Sequence, residues 1–254
     1  MTRNTLFLFI FFLVTINTWS KSALAQPSII ETVQNTLPSI VTIQSENAGL
    51  LSDQRPAAAF DKQSGRIIVL RNVKTAQYNR NGSGVIIDPR GIIATNAHIV
   101  KQSGRVTVTL DDKTEIPAKI LGIIEKEDLA LLHITAPHPL RVIEFADSDQ
   151  IKLDDEVVMV GGSELLTDTI SGGRIIGIGS HASEQQPDDA KTALLQVDMN
   201  LYRGDSGGPV FDTKGHLVGL IVAGQKTKDR SSFIIPSNQI KKRYLEFLSH
   251  PTNP

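Results

Sequence analysis

Cysteine is absent from the 254-residue chain, and aromatic residues make up 5% of it. Without cysteine there is no disulfide framework, no thiolate metal site and no cysteine nucleophile. An excess of charge of one sign is also missing, since 26 Lys and Arg residues stand against 27 Asp and Glu residues. A general affinity for nucleic acid or for anionic membranes is therefore not indicated. The sequence has no ligand spacing of the HExxH type either, so it predicts no metal and no other cofactor.

Apolar residues make up 40% of the chain and charged residues 21%, which favours a folded domain over disorder. From about Ser39 to Ile235 the apolar residues form short segments rich in β-branched side chains, separated by turn residues. Because no helices alternate with these strands, the pattern predicts an all-β sandwich or barrel. Two polar stretches, Glu46–Gly82 and Ser183–Asp189, are expected to form surface loops, the first of them long. The predicted strands include Ser39–Gln44, Arg66–Leu70, Gly84–Ile87, Ile92–Thr95, Arg105–Leu110, Lys119–Ile124, Leu129–Ile134, Glu156–Val160, Ala193–Val197 and His216–Val222.

The N-terminal segment has the features of a secretory signal. Arg3 precedes an almost wholly apolar stretch from Leu6 to Ile16, and a polar stretch follows that ends in Ala23-Leu24-Ala25. This order predicts a signal peptide over residues 1–25, cleaved after Ala25. The apolar stretch is too short to cross a bilayer as a helix. We therefore expect an exported protein with no stable membrane span after cleavage; an uncleaved anchor is the alternative.

Two helices are predicted, one near each end of the exported part, where each would cover the sheets. Ser28-Ile29-Ile30-Glu31 has the spacing of a capping box, and an apolar stripe continues to Leu37. The second helix is predicted over Asn238–Ser249. Its apolar face is formed by Ile240, Tyr244, Phe247 and Leu248.

The segment Gly204-Asp205-Ser206-Gly207-Gly208-Pro209 has the composition of a nucleophile loop. A serine hydroxyl is a poor nucleophile until a base accepts its proton, and its attack on a carbonyl creates an oxyanion. Flanking glycines let the backbone turn tightly, so the N–H groups of Gly204 and Ser206 are predicted to form an oxyanion hole. An ordinary glycine-rich turn between strands is the alternative.

A histidine is expected to be the base, and the chain has six. His98 directly follows the strand pair Gly84–Ile87 and Ile92–Thr95, so its imidazole is predicted at a strand end, facing a cleft. The other five histidines lie within a strand, beside loops or prolines, or in the C-terminal tail. We interpret them as packing or surface residues.

The base needs a carboxylate that is sheltered from water and holds the imidazole in the correct tautomer. Asp128 opens the apolar run Leu129–Ile134 and is the candidate, although a strand-capping turn residue is the alternative. Its neighbours Glu125 and Glu127 are interpreted as solvated loop charges.

His98, Asp128 and Ser206 occur in the chain order of the chymotrypsin arrangement. Six segments around and between these residues follow in order along the chain: Gly82–Asp88, Thr95–Val100, Asp128–Leu132, Ala146–Asp149, Arg203–Pro209 and Ile235–Asn238. Together with the order of the three residues, they make the sequence resemble the trypsin-fold serine proteases of the HtrA/Deg type.

The resemblance implies one protease domain over residues 26–254, with two six-stranded β-barrels and short terminal helices. The first barrel would occupy about residues 39–140, the second about 141–236, and the C-terminal helix 238–249. The implied activity is that of a serine endopeptidase without a cofactor, acting on polypeptides, above all unfolded or damaged ones. The implied location is the periplasm or the outside of the cell. The resemblance leaves open whether the chain forms a homo-oligomer.

The resemblance also places the primary substrate pocket. Its base would be Asn200, and its walls would include Val222 and Ala223. Since position 200 carries no carboxylate, we expect small or medium apolar side chains beside the cut rather than Arg or Lys.

Three departures from the family pattern stand out. Asp205 occupies the position before the nucleophile, where HtrA-like proteins usually have asparagine. Gly162-Ser163-Glu164-Leu165 replaces the usual Asn-Pro-Phe-Gly, which is expected to alter the substrate groove. The sequence ends at Pro254, soon after the predicted helix, so no PDZ domain is expected.

Other interpretations have less support. Gly204-x-Ser206-x-Gly208 also fits the nucleophile elbow of α/β-hydrolases, but that fold needs its acid and histidine after the serine. Arg203-Gly204-Asp205 spells an adhesion tripeptide, yet it falls inside the predicted catalytic loop. A catalytically silent protease-fold module that binds peptides, and an esterase, are the functional alternatives.

Overall fold

The strand-forming segments pair into antiparallel sheets in a computed structural model, which describes residues 29–47, 57–61, 66–70, 79–161, 169–180, 193–199, 201, 204–222 and 231–249. The helices are α1 (Ile29–Thr36), α2 (Ala97–Val100) and α3 (Ser237–Ser249). The strands are β1 (Ile40–Asn47), β2 (Ala57–Asp61), β3 (Arg66–Leu70), β4 (Asn79–Asp88), β5 (Ile92–Asn96), β6 (Ser103–Thr109), β7 (Glu115–Ile124), β8 (Leu129–His133), β9 (Glu156–Gly161), β10 (Thr169–Ser180), β11 (Leu194–Val197), β12 (Pro209–Asp212), β13 (Leu217–Val222) and β14 (Ser232–Pro236).

Twelve of these strands close into two six-stranded barrels, which confirms the predicted fold class. The first barrel has the strand order β1-β4-β5-β8-β7-β6, and the second has the order β10-β11-β14-β13-β12-β9. All pairs within the barrels are antiparallel. The two remaining strands, β2 and β3, form a separate hairpin. Closure removes the exposed sheet edges that a short-stranded protein would otherwise carry.

The two faces of single strands fill two different cores. In β8, Ala130 and Leu132 point into the first barrel, whereas Leu129 and Leu131 join a second cluster that also includes Phe211 and Leu220 of the other barrel. Side chains alternate between the faces of a strand, so a strand that is apolar throughout can serve both cores. Residues of both barrels pack together in this shared cluster, which therefore holds the barrels against each other. Each fully buried Leu or Ile in it contributes roughly 2 kcal/mol to the stability of the fold.

Helix α3 covers the junction of the barrels through the apolar face predicted for it. Ile240 and Tyr244 are buried in the shared cluster, and Phe247 packs against it. Ser237, at the start of the helix, donates its hydroxyl to the carbonyl oxygen of Ala146 at 2.8 Å. Leu248, predicted on the same face, is more than a third exposed. None of the helices in the described ranges is long and apolar enough to cross a membrane.

The predicted long loop over Glu46–Gly82 is wrong in part. β1 continues to Asn47, the β2–β3 hairpin lies inside the stretch, and β4 already begins at Asn79. Gly, Ser and Asn at the start of β4 concealed that strand, because these residues are poor strand formers in isolation. The predicted signal peptide and the loop Ser183–Asp189 lie outside the described residues.

Candidate active site

His98 is carried by the single-turn helix α2, which follows β5 directly. Ala97, Ile99 and Val100 are buried, whereas the His98 side chain is 35% exposed. The helix is too short to be stable alone, so its neighbours must fix it. Arg80 on β4 donates a hydrogen bond to the carbonyl oxygen of His98. Packing and hydrogen bonds therefore hold the backbone of His98 while its ring stays accessible.

The carboxylate of Asp128 contacts both the ring and the backbone of His98. Its Oδ2 lies 2.7 Å from Nδ1 of His98, and its Oδ1 accepts a hydrogen bond from the His98 backbone N–H at 2.9 Å. The carbonyl oxygen of Asp128 accepts the N–H of Ala97 at 3.0 Å. A carboxylate at Nδ1 fixes the tautomer in which Nε2 is the proton acceptor. The pair is therefore arranged as an oriented general base.

Asp128 adopts a left-handed backbone conformation, which aspartate enters more readily than most non-glycine residues. Its φ of +50° and ψ of 37° lie in the left-handed region, between the 3-10 turn Glu125–Glu127 and β8. Such a conformation persists where the surrounding structure enforces it. The left-handed residue turns the chain so that the carboxylate meets α2 while Leu129 enters the strand.

Ser206 lies in a tight loop at the start of β12, and the loop depends on its glycines. Gly204 and Gly207 have φ values of +98° and +76°. A Cβ atom at position 207 would overlap the carbonyl oxygen of Ser83 and lie 2.7 Å from Oγ1 of Thr95. Any side chain at position 207 would thus push the loop away from the first barrel.

Ser83 of β4 connects this loop to the first barrel through two hydrogen bonds. Its backbone N–H donates to the carbonyl oxygen of Ser206 at 2.8 Å, and its hydroxyl donates to that of Gly204 at 2.9 Å. Thr95 of β5 holds Ser83 in turn, since Oγ1 donates to the Ser83 carbonyl at 2.7 Å. Sequence reasoning assigned Ser83 no role; the available signal was a serine between two glycines, directly before the apolar part of β4.

The loop reaches the first barrel next to α2. A Cβ atom at Gly82 would overlap the side chain of Ile99 and lie 3.0 Å from the carbonyl oxygen of Ser206. The residue after His98 and the backbone of Ser206 therefore border the same glycine. Within the described ranges no hydrogen bond joins the His98 ring to the Ser206 hydroxyl. Catalytic hydrogen bonds of this kind are often long without substrate and tighten when it binds.

The predicted oxyanion donors differ in how far the structure orients them. The carbonyl of Asp205 accepts the N–H of Gly208 at 2.8 Å. In a trans peptide the N–H of Ser206 points opposite to that carbonyl, away from Gly208. The Gly204 N–H belongs to a peptide that includes Arg203, which lies outside the described residues. Asp205 itself is fully buried, with Oδ1 against the backbone of Gly161 at the end of β9.

Of the predicted pocket residues, only Val222 lies within the part of the chain that the structure describes. This half-buried residue ends β13 and pairs with Phe233 of β14. The preceding Ile221 accepts the N–H of Gly207 at 3.0 Å, so the end of β13 borders the Ser206 loop. Asn200, Ala223 and the segment 162–165 lie outside the described residues, and their predicted roles stay predictions.

Glu127 corrects one interpretation of the sequence. It is not a solvated loop charge: its side chain is 11% exposed and forms an ion pair with Arg243 of α3. Burial raises the pKa of Glu127, but the hydrogen bonds from Arg243 and Gln239 and the neighbouring positive charges together outweigh it, so the net pKa lies below the ordinary value. Glu125 is exposed, as expected. Across the ranges described above, no cluster of three or more His, Asp or Glu side chains is placed to hold a metal ion.

The double barrel, with a His–Asp pair on one barrel and a glycine-rich serine loop on the other, defines the trypsin fold. A family described as the trypsin-like peptidase domain matches residues 82–220, and the chain belongs to it. The match spans β4 to β13 and contains His98, Asp128 and Ser206.

Individual relatives confirm the resemblance to the HtrA type. The chain is 31% identical to a probable periplasmic serine endoprotease DegP-like of Rickettsia conorii over 233 residues, covering 87% of this chain and 46% of the relative. It is 30% identical to the periplasmic pH-dependent serine endoprotease DegQ of Escherichia coli, covering 85% of this chain and 47% of that protein. The chain thus spans about half the length of these relatives. A solved structure of the HtrA-type protease AlgW with a tripeptide superposes with a TM-score of 0.70 at 22% identity, covering 88% of this chain and 64% of the other.

Proposed function

We propose that the chain is an exported serine endopeptidase in which Ser206 is the nucleophile, His98 the general base and Asp128 the residue that orients the base. The observation that carries this assignment is the Asp128 carboxylate, which binds both Nδ1 and the backbone N–H of His98. It does so where the Ser206 loop is bonded to the same barrel through Ser83. The family membership and the names of the relatives support the same activity.

Peptide hydrolysis then proceeds through an acyl-enzyme. Nε2 of His98 accepts the proton of the Ser206 hydroxyl as that oxygen attacks the peptide carbonyl, and the same proton passes to the leaving amine. Asp128 stabilises the imidazolium that forms. The N–H groups of Gly204 and Ser206 donate to the oxyanion, and one such donor contributes about 3–4 kcal/mol in related chemistry. Water and His98 repeat the sequence to release the acyl product.

We propose unfolded or damaged polypeptides in the periplasm or outside the cell as substrates. The predicted signal peptide and the periplasmic relatives support this location. The pocket formed by Asn200, Val222 and Ala223 would accept small or medium apolar side chains. A peptide-library profile dominated by Arg or Lys beside the cut would contradict this pocket.

An activity-based probe tests the assignment of the nucleophile. A fluorophosphonate reacts with an activated serine, so we expect it to label the purified chain. Labelling should disappear in Ser206→Ala and persist in Ser163→Ala, which removes another serine near a glycine. Cleavage of casein, compared with cleavage of a short ester, then separates a protease from an esterase.

A silent peptide-binding module is the second candidate, because no hydrogen bond joins His98 to Ser206 within the described ranges. Such a module would keep the barrels and bind peptides, yet the fluorophosphonate would label neither the wild type nor Ser163→Ala. Labelling of the folded wild type that depends on Ser206 excludes this candidate.

A further inference from the structure

An ion pair connects the C-terminal helix to the turn that precedes Asp128. Nε of Arg243 on α3 lies 2.9 Å from both Oε1 and Oε2 of Glu127, and Nη2 also contacts Oε1. The side chains are 30% and 11% exposed. A guanidinium that grips both carboxylate oxygens fixes orientation as well as distance. The position of Glu127 is therefore tied to α3.

Glu127 is the last residue of the 3-10 turn, and Asp128 follows it in the left-handed conformation. Aspartate enters that region more readily than most non-glycine residues, and the surrounding structure decides whether it stays there. Within the turn the support for this conformation is modest: the N–H of Asp128 donates to Glu125 at 3.2 Å, and Glu125 is 3.6 Å from the ammonium of Lys101 at the surface. Asp128 itself is held from α2, whose Ala97 and His98 N–H groups donate to it, and the Arg243 ion pair is the restraint that reaches Glu127 from α3.

We propose that Arg243 is a positioning residue for catalysis, an inference that rests on the proposed function. By holding Glu127, it keeps the turn in the conformation that directs the Asp128 carboxylate at His98. The helix that follows the second barrel thereby supports the general base on the first barrel.

A second contact of the same helix provides a matched comparison. Tyr244 donates its hydroxyl to Asp88 and accepts a hydrogen bond from Arg90 at 2.9 Å. This contact also joins α3 to the first barrel, but at the turn before β5, whereas His98 lies beyond the other end of that strand. Loss of the Tyr244 contact should loosen the helix without disturbing the turn before Asp128.

The first experiment compares Arg243→Gln and Glu127→Gln with Tyr244→Phe. Initial rates on fluorescein-labelled casein give kcat and KM, and thermal unfolding gives stability. We expect kcat to fall about tenfold in the first two variants with KM unchanged, since small displacements of catalytic groups cost up to about a hundredfold. Tyr244→Phe should lower the unfolding temperature and leave kcat intact. Glu246→Gln removes the other partner of Arg243 and should also keep kcat.

A double-mutant cycle asks whether Arg243 acts through Asp128. In an Asp128→Asn background, Arg243→Gln should cause no further loss of kcat, because the carboxylate that it positions is gone. If Arg243→Gln lowers kcat by the same factor in both backgrounds, Arg243 does not act through Asp128.

The proton on Nδ1 of His98 gives a readout that needs no activity. In the wild type and Tyr244→Phe, its hydrogen bond to Asp128 should produce a low-field proton NMR signal. Arg243→Gln and Glu127→Gln should lose or broaden the signal; a signal unchanged in both overturns the inference. If Arg243→Gln does not fold, Glu127→Gln decides. A wild type that the fluorophosphonate does not label refutes the proposed function instead, and the NMR comparison still judges the positioning role.

Discussion

Each barrel contains a His–Asp pair of nearly the same geometry. In the first barrel, Asp128 binds Nδ1 of His98 at 2.7 Å and its backbone N–H at 2.9 Å. In the second barrel, Asp212 lies 3.1 Å from Nδ1 of His216 and accepts its backbone N–H at 2.9 Å. The carboxylate uses one oxygen for the backbone and the other for the ring in both. Pair geometry alone therefore does not identify a catalytic base.

The surroundings of the two rings differ. Asp212 and His216 are four residues apart, and Asp212 also accepts the N–H of Lys214, so this pair organises the hairpin turn between β12 and β13. Nε2 of His216 lies 3.6 Å from the carboxylate of Glu144. His98 and Asp128 come from separate elements, and the Ser206 loop lies beside α2. Nε2 of His216 thus lies near a carboxylate, whereas the helix that carries His98 lies beside the Ser206 loop, and this difference is what we expect to separate a structural pair from the proposed catalytic one.

The largest expected effect comes from removing each acid in turn. Asp128→Asn should lower kcat about 10⁴-fold, because the amide no longer enforces the correct tautomer or stabilises the imidazolium. Asp212→Asn should leave kcat within about twofold and lower stability by about 1 kcal/mol, the net value of a lost hydrogen bond. Casein hydrolysis and denaturant unfolding measure both. Equal losses of kcat would mean that the two pairs cannot be told apart by their surroundings.

A smaller effect is expected from the contact that brings the serine loop to the first pair. Ser83→Ala removes the donor to the Gly204 carbonyl and leaves a buried acceptor without it, at a cost of about 1–3 kcal/mol. The loop should shift and kcat should fall about tenfold. Ser237→Ala is the control, because it removes a similar bond from a buried hydroxyl to the carbonyl of Ala146, away from the loop. A kcat equally reduced in both variants would indicate a general loss of packing.

The sequence predicted what depends on local patterns and missed what depends on distant partners. β3 was predicted residue for residue, and β5 and β8 to within a residue, since dense β-branched and apolar residues mark them. β10 was not predicted: four glycines interrupt it, and several of its isoleucines face solvent. The family motifs proposed His98, Asp128 and Ser206. Nothing in the sequence near Glu127 indicates that the charge of this residue would be buried against Arg243, which lies 116 residues later in the chain.

The smallest expected effect concerns pH, and it compares the acids that contact α3 with a contact of the same helix that has no titratable group. The hydrogen bonds from Arg90 hold the pKa of Asp88 well below its usual range. Burial raises the pKa of Glu127, but the hydrogen bonds and positive charges around it, with those of Arg243 foremost, together lower it. A lowered pKa in the folded state stabilises the fold above the unfolded-state pKa of about 4, and this stability is lost as the pH falls through the folded-state value. The unfolding temperature of the wild type should therefore drop as the pH is lowered from about 5 to about 3.

Asp88→Asn and Glu127→Gln should each flatten that decline by a few degrees, because the neutral side chain has no proton to gain. Ser237→Ala, which removes a contact of α3 that carries no titratable group, should follow the wild-type slope. Calorimetry of the four proteins across this pH range makes the comparison. A wild-type slope that survives both substitutions would place the acid-sensitive contacts elsewhere than between α3 and the first barrel.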